Sequence, residues 1–232
     1  MDDENKVEQN VKQKSNNIKK SQDSKMNKIF KEIGEWIFCF IIAYVLYLNI
    51  NYFFGTMSGV KQVSMKPTAL EGERLIVQRP KIFKRQIQHD DIITFEAPSE
   101  STKYLNEEVI DDNIAKYIEY TGLNKFLYNF IGIGKISYIK RVIGIEGDHI
   151  QIKEDGQVYR NEGKLIESYT KDKTTNINGK YVDVIVPKGC VFVMGDNRLE
   201  SKDSRFFGCI PINKVNGYVI CRVWPFNRLG KV

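Results

Sequence analysis

The chain has 232 residues, 42% of them hydrophobic and 12% aromatic, which is too apolar for a disordered protein. Its formal net charge is +6, with the cations dispersed among 29 acidic residues, so the balance points to attraction by anionic lipid rather than to nucleic-acid binding. Four cysteines without zinc-like spacing exclude a metal ribbon or a disulfide-dense scaffold.

Residues 1–28 are rich in Lys, Asn, Gln, Ser and acids and nearly free of apolar side chains, which predicts a disordered tail. Trp36 to Phe54 is a run of nineteen uncharged residues broken only by Asn49 and Asn51. As a helix it extends roughly 28 Å, close to the roughly 30 Å hydrocarbon core of a bilayer. It predicts one transmembrane anchor over residues 29–56. A cleavable signal peptide fits less well, because the preceding region is long and no Ala-x-Ala follows the run. A buried globular helix is the other alternative. Lys19, Lys20, Lys25, Lys28 and Lys31 precede the run, and only Lys61 and Lys66 follow closely. The positive-inside rule then places the N-terminus in the cytoplasm and residues 57–232 outside.

Ser64 lies in Val63-Ser64-Met65-Lys66-Pro67-Thr68, which taken alone reads as a turn. Even a fully extended connector from Phe54 holds this serine within about 33–36 Å of the bilayer. Beyond the anchor, short runs rich in β-branched and aromatic residues dominate: Arg74–Gln78, Asp91–Phe95, Ile136–Ile145, His149–Lys153, Gln157–Arg160, Tyr181–Val186, Cys190–Met194 and Gly217–Trp224. Turns such as Glu154-Asp155-Gly156 separate them, and the pattern predicts a mainly β, antiparallel domain. The exception is Asn106–Ile131, where Val109, Ile110, Ile114, Tyr117 and Ile118, then Leu123, Phe126, Leu127, Phe130 and Ile131, recur at helical spacing. This segment reads as a helical insertion over about 100–133.

Lys140 interrupts the strand Ile136–Ile143, and alternation puts Lys140 and Arg141 on opposite faces. One of the two cations must therefore share a face with apolar neighbours. A strand lysine either snorkels to solvent with a buried stem or is desolvated. Acting as a base near pH 7 requires its pKa to fall about 3.4 units, roughly 4.6 kcal/mol, which full burial alone can supply. A neutral amine beside Ser64 can then take the hydroxyl proton as the serine attacks a carbonyl. Further on, Val191–Met194 reads as a strand leading into the polar run Asp196–Ser204. Cys190, Cys209 and Cys221 allow at most one disulfide among them and are equally compatible with free thiols.

These stretches together resemble the bacterial type I signal peptidases. The matching blocks are Ser64–Thr68 with Glu71–Val77, Asp90–Phe95, Lys140–Asp148 and Gly195–Gly208, in the family's order. The resemblance implies a signal-peptidase-like antiparallel β catalytic domain behind an N-terminal transmembrane helix. It implies Ser64 as nucleophile, Lys140 as general base, Ser201 as the residue that orients the lysine amine, and Asp203 with Arg205 as a structural ion pair. If the chain is extended there, Asp203 and Arg205 share a face. The implied reaction removes signal peptides from exported preproteins after small residues of the Ala-x-Ala type, through an acyl-enzyme and without a cofactor or metal.

The chain departs from the family at Gln62 and Val63, where small or acidic residues are usual, and at Ala69 and Glu73, which replace Leu and Asp. In the oxyanion hole that the resemblance implies, the Gln62 side-chain amide can donate beside the Ser64 N–H. These departures motivate one alternative, a client-specific or weakly active homologue that assists assembly of surface fibres. A self-cleaving repressor-type regulator also uses a Ser-Lys pair, but the anchor and the lack of a DNA-binding helix pair argue against it. A Ser-His-Asp arrangement using His89 with Asp90 or His149 with Asp148 stays formally open.

Overall fold

The computed structural model describes residues 26, 28–47, 55–78, 85–99, 113–122, 124, 136–170, 175 and 178–232. The chain divides into two units, 1–52 and 53–232. In the first, residues 28–47 are helical, and their side chains, including Trp36, Phe38 and Phe40, are exposed. Residues 48–54, the rest of the predicted apolar run, lie outside the described residues. Among the described residues no helix is long and apolar enough to cross a membrane.

The second unit is built on two antiparallel sheets. Its strands are β1 (Thr56–Gly59), β2 (Arg74–Gln78), β3 (Ile92–Glu96), β4 (Ser137–Ile145), β5 (His149–Ile152), β6 (Val158–Arg160), β7 (Gly163–Lys164), β8 (Asp183–Ile185), β9 (Cys190–Met194), β10 (Ile210–Pro211) and β11 (Val215–Trp224). The larger sheet runs β1-β2-β11-β3-β4-β9-β10, and the smaller runs β7-β6-β5-β8. Each predicted strand has a counterpart, with bounds shifted by at most two residues. The unit is mainly β, as its alternating pattern predicts.

Apolar side chains from both sheets make the core. Ile143, Phe192 and Met194 of the large sheet pack with Ile150, Ile152, Val158 and Val184 of the small one. A second cluster joins Ile93, Phe95, Val142, Val191, Val193 and Ile210. The large sheet is therefore covered on both faces at β4 and β9, and all five residues of β9 are buried. This covering explains the burial of both Lys140 and Arg141, at 1% and 7% exposure, where alternation had required burial of only one. A third cluster, Val60, Met65, Ala69, Leu75 and Ile92, seats the turn that carries Ser64.

The helical insertion is corrected in part. Residues 113–121 are not helical, and most of the remaining insertion lies outside the described residues. Ile114 instead forms a parallel bridge with Cys209, and Ala115 N–H donates to Cys209 O at 2.8 Å. Cys209 N–H donates in turn to Asn113 O. Here the helically spaced apolar residues meet a chain that runs on directly into edge strand β10, and pairing with it satisfies the backbone without a helix.

Candidate active site

Ser64 occupies the middle of a one-turn 3-10 helix, Val63–Met65, entered from an extended Gln62. Met65 and Ala69 are fully buried and fasten this turn to the core. The turn is also clamped from the chain's far end, because Asn197 N–H donates to Ser64 O at 3.1 Å and Asn197 Nδ2 donates to Val63 O at 3.2 Å.

Lys140 comes from β4, opposite Ile93 of β3. Its Nζ lies 2.6 Å from Ser64 Oγ and 3.1 Å from Ile139 O. The Tyr138 ring centroid is 5.4 Å from the same nitrogen. Burial lowers the Lys140 pKa from 10.5 to about 8, against the upward pull of Asp203 and Asp196 and with a downward push from Arg205. A neutral amine is thus accessible near physiological pH, in contact with a buried hydroxyl.

Ser201, Asp203 and Arg205 come together around Gly195. Ser201 Oγ is buried and makes no hydrogen bond, so the orienting contact to Lys140 that the resemblance implies is absent from this arrangement. A Cβ at Gly195 would overlap Ser64 O and Ser201 Oγ, which puts both serines against this glycine. Asp203 and Arg205 are fully buried and doubly bonded, with Arg205 Nε and Nη2 donating at 2.7 and 2.8 Å. They do not lie on an extended chain. Asp203 caps the short helix Ser204–Phe207, and Arg205 lies inside it and reaches back to its partner. Asp203 also accepts from Gly195 N–H at 3.0 Å, tying this ion pair to the glycine between the serines.

A second buried network was not foreseen from the sequence. Arg141 donates from Nε and Nη2 to the two carboxylate oxygens of Asp196, at 2.9 and 2.7 Å. Asp196 also accepts from Thr68 Oγ1 at 2.5 Å. Asp196 therefore links the turn that carries Ser64 to the strand that carries Lys140. Arg198 is buried, donates to Gly195 O at 3.2 Å, and makes a two-pronged pair with Glu167 at 2.5 Å on each prong. Burial, with the charge of Glu167, pushes the Tyr169 phenol well above its ordinary range, so it stays protonated and donates to Glu167 at 2.9 Å. The density of charge in Asp196–Asp203 was the one sequence signal for this network.

Beside these groups opens a cleft of about 470 Å³, lined among others by Val60, Gln62, Leu75, Thr94, Tyr138 and Ile139. Gln62 is exposed on its wall, and Lys61 is the one charged side chain of that lining. Among the described residues β1 pairs only with β2, and β9 pairs with β4 only from Arg141 onward, so there the backbone edges of β1 and of Ser137–Ile139 are open at the cleft. The histidines lie in other contacts: His89 bonds Asp148 and His149 bonds Asp183, each at 2.6 Å. None of the four cysteines is in a disulfide.

Comparison with known proteins agrees with the sequence blocks. The family model described as "Signal peptidase, peptidase S26" matches residues 33–224. A signal peptidase IB of Staphylococcus aureus (strain COL) is 29% identical over 213 residues, covering 85% of this chain and 93% of that protein. A signal peptidase I of Bacillus licheniformis is 30% identical over 216 residues, covering 90% and 95%. A crystal structure of a signal peptidase I from Enterococcus faecalis V583 overlaps with a TM-score of 0.37 at 24% identity, over 58% of this chain and 97% of that one. With a family model spanning well over half its length, the chain belongs to the signal peptidase family, peptidase S26, and is a serine endopeptidase.

Proposed function

We propose that this chain is a membrane-bound endopeptidase that removes N-terminal signal peptides from exported proteins, using Ser64 as nucleophile and Lys140 as general base. The observation that carries the reading is the 2.6 Å approach of a desolvated lysine amine to a buried serine hydroxyl, with an open cleft lined by their chain neighbours Gln62 and Ile139.

The reaction follows from the placement of these groups. Extended substrate adds to the backbone edges of β1 and Ser137–Ile139, which are open among the described residues, bringing its scissile carbonyl to Ser64. Ser64 Oγ attacks the carbonyl carbon while Lys140 Nζ takes the hydroxyl proton. The N–H of Ser64, in the first turn of its helix, and the Gln62 amide receive the negative charge on the carbonyl oxygen. Lys140 then gives its proton to the departing amine, which becomes the new N-terminus of the mature protein. The signal peptide remains as an ester on Ser64. Lys140 next takes a proton from water, which attacks the ester, and returns it to Ser64 Oγ as the peptide acid leaves. Ser201, Asp203 and Arg205 hold the loop against which Ser64 packs. The cleft wall of Val60, Leu75 and Ile139 is apolar and suits small side chains before the cut.

The exposed helix at 28–47, uncharged from Trp36 onward and continued by the uncharged sequence to Phe54, supports a single transmembrane anchor within 29–56. The N-terminal tail then lies in the cytoplasm and residues 57–232 outside, beside the emerging preprotein. The fibre-assembly alternative draws no support from a site where nucleophile and base are in contact. To test the reading, full-length protein in lipid vesicles is given an exported precursor with an Ala-x-Ala signal peptide and a second with bulky residues in place of both alanines. The account expects one cut after the second alanine and little turnover of the bulky variant. Equal cleavage of both precursors, or cleavage of neither by the folded protein, overturns it.

A further inference from the structure

Tyr169 belongs to neither the cleft nor the Ser64–Lys140 pair, yet two cations of the site face its ring. Arg141 Cζ lies 4.0 Å from the ring centroid and Arg198 Cζ lies 5.9 Å from it. The two arginines belong to the two segments that must stay in register for chemistry. Arg141 follows Lys140 on β4 and is forked onto Asp196, which also holds Thr68 near Ser64. Arg198 grips Gly195 O, at the residue packed against Ser64 O and Ser201 Oγ. Tyr169 is itself fixed from a third segment, just beyond β7 of the small sheet. Its hydroxyl donates to Glu167, the carboxylate that forks onto Arg198, and its ring packs on the buried cluster shared by the two sheets.

We propose that Tyr169 is a positioning residue: its ring braces Arg141 against Arg198 and so sets the placement of Lys140 Nζ on Ser64 Oγ. Guanidinium groups stack on aromatic faces, and when both are desolvated the contact is strong enough to hold a side chain in one orientation. Without the ring, two buried cations lose a shared partner and β4 gains freedom to slide relative to the Gly195 loop. Misplacement on the scale of 1 Å at a reacting pair costs about a hundredfold in rate. Because Tyr169 does not line the cleft, the loss falls on turnover and not on substrate binding. A loosened β4 also admits water to Lys140. The groups that face its amine from the packed elements are Ser64, Tyr138, Asp203, Arg205 and Asp196, and none of them is altered by a change at Tyr169.

This inference rests on the Ser64–Lys140 reading, and the experiment separates the two. Full-length wild type, Tyr169→Phe and Tyr169→Leu are assayed in detergent on one Ala-x-Ala precursor across pH 6–10, with folding checked by circular dichroism and thermal midpoint. Tyr169→Phe keeps the ring and should retain kcat within about twofold, since only one hydroxyl bond is lost. Tyr169→Leu should lose about ten- to a hundredfold in kcat with KM nearly unchanged. The acid limb of its kcat/KM profile should move upward from that of wild type. If Tyr169→Leu does not fold, Tyr169→Met, of similar reach, replaces it. A leucine or methionine variant with wild-type kcat, a loss confined to KM, or an equal loss in Tyr169→Phe overturns the bracing role. A wild type that cuts no precursor overturns the underlying reading instead.

Discussion

The pH dependence of cleavage reads the burial of Lys140 directly. With the amine lowered to about 8, roughly 9% of free enzyme carries a neutral base at pH 7, against about 0.03% for a lysine at its ordinary 10.5. Desolvation thus supplies about a 300-fold larger active fraction at that pH. The kcat/KM of the full-length protein on a fixed precursor should therefore rise about tenfold per unit from pH 6, bend near 8, and level off, for a total gain of about ninetyfold by pH 9. The limb in kcat should lie lower still, because bound substrate covers the cleft and removes more water from the amine. Initial rates from product mass, with precursor stability checked at each pH, give both profiles. A kcat/KM that keeps rising tenfold per unit through pH 9 would refute the reasoning, since it would mean an amine with ordinary hydration.

Three further outcomes follow from buried groups. Lys140→Met should abolish cleavage yet stabilise the fold at pH 7 by about 1 kcal/mol: it relieves a desolvation cost of about 3 kcal/mol and forfeits two hydrogen bonds of about 1 kcal/mol each. The gain should shrink as wild type itself becomes more stable between pH 8 and 10.5, where the unfolded lysine still holds a proton that the folded one has lost; urea unfolding at pH 7 and 10 measures this. Asp203→Asn leaves Arg205 buried beside a neutral amide, and chemical denaturation should show a loss of about 3–5 kcal/mol. Gly195→Ala forces a Cβ onto Ser64 O and Ser201 Oγ, so kcat/KM should fall at least about a hundredfold while circular dichroism keeps its β signature.

The strands were legible where β-branched and aromatic residues cluster, as in Cys190–Met194, whose bounds match those read from the sequence. The missed ones are Thr56–Gly59, Gly163–Lys164 and Ile210–Pro211, short edge segments held by their neighbours' backbones and carrying Gly or Pro. Helical spacing misled at Ile114, because pairing with Cys209 satisfies the backbone and local periodicity carries no sign of that partner. At the site, Lys140 stood out as a charge inside an apolar strand, whereas Ser64, in a turn-like setting, was singled out only through the family resemblance. The network around Asp196 could not, since Arg141 is 55 positions away and Thr68 is 128, and only the order β3-β4-β9 brings them together. Glu167 and Tyr169 are harder again, because they sit in an irregular segment whose partners lie on another sheet and loop.

The most direct test of the Ser64–Lys140 chemistry is cleavage of one Ala-x-Ala precursor by full-length wild type, Ser64→Ala and Lys140→Ala, with product masses locating the cut. Wild type should release the mature protein at the predicted bond, and both variants, folded by circular dichroism, should fall to background. Cleavage at that bond by a folded Ser64→Ala or Lys140→Ala protein at anything near the wild-type rate would contradict the account.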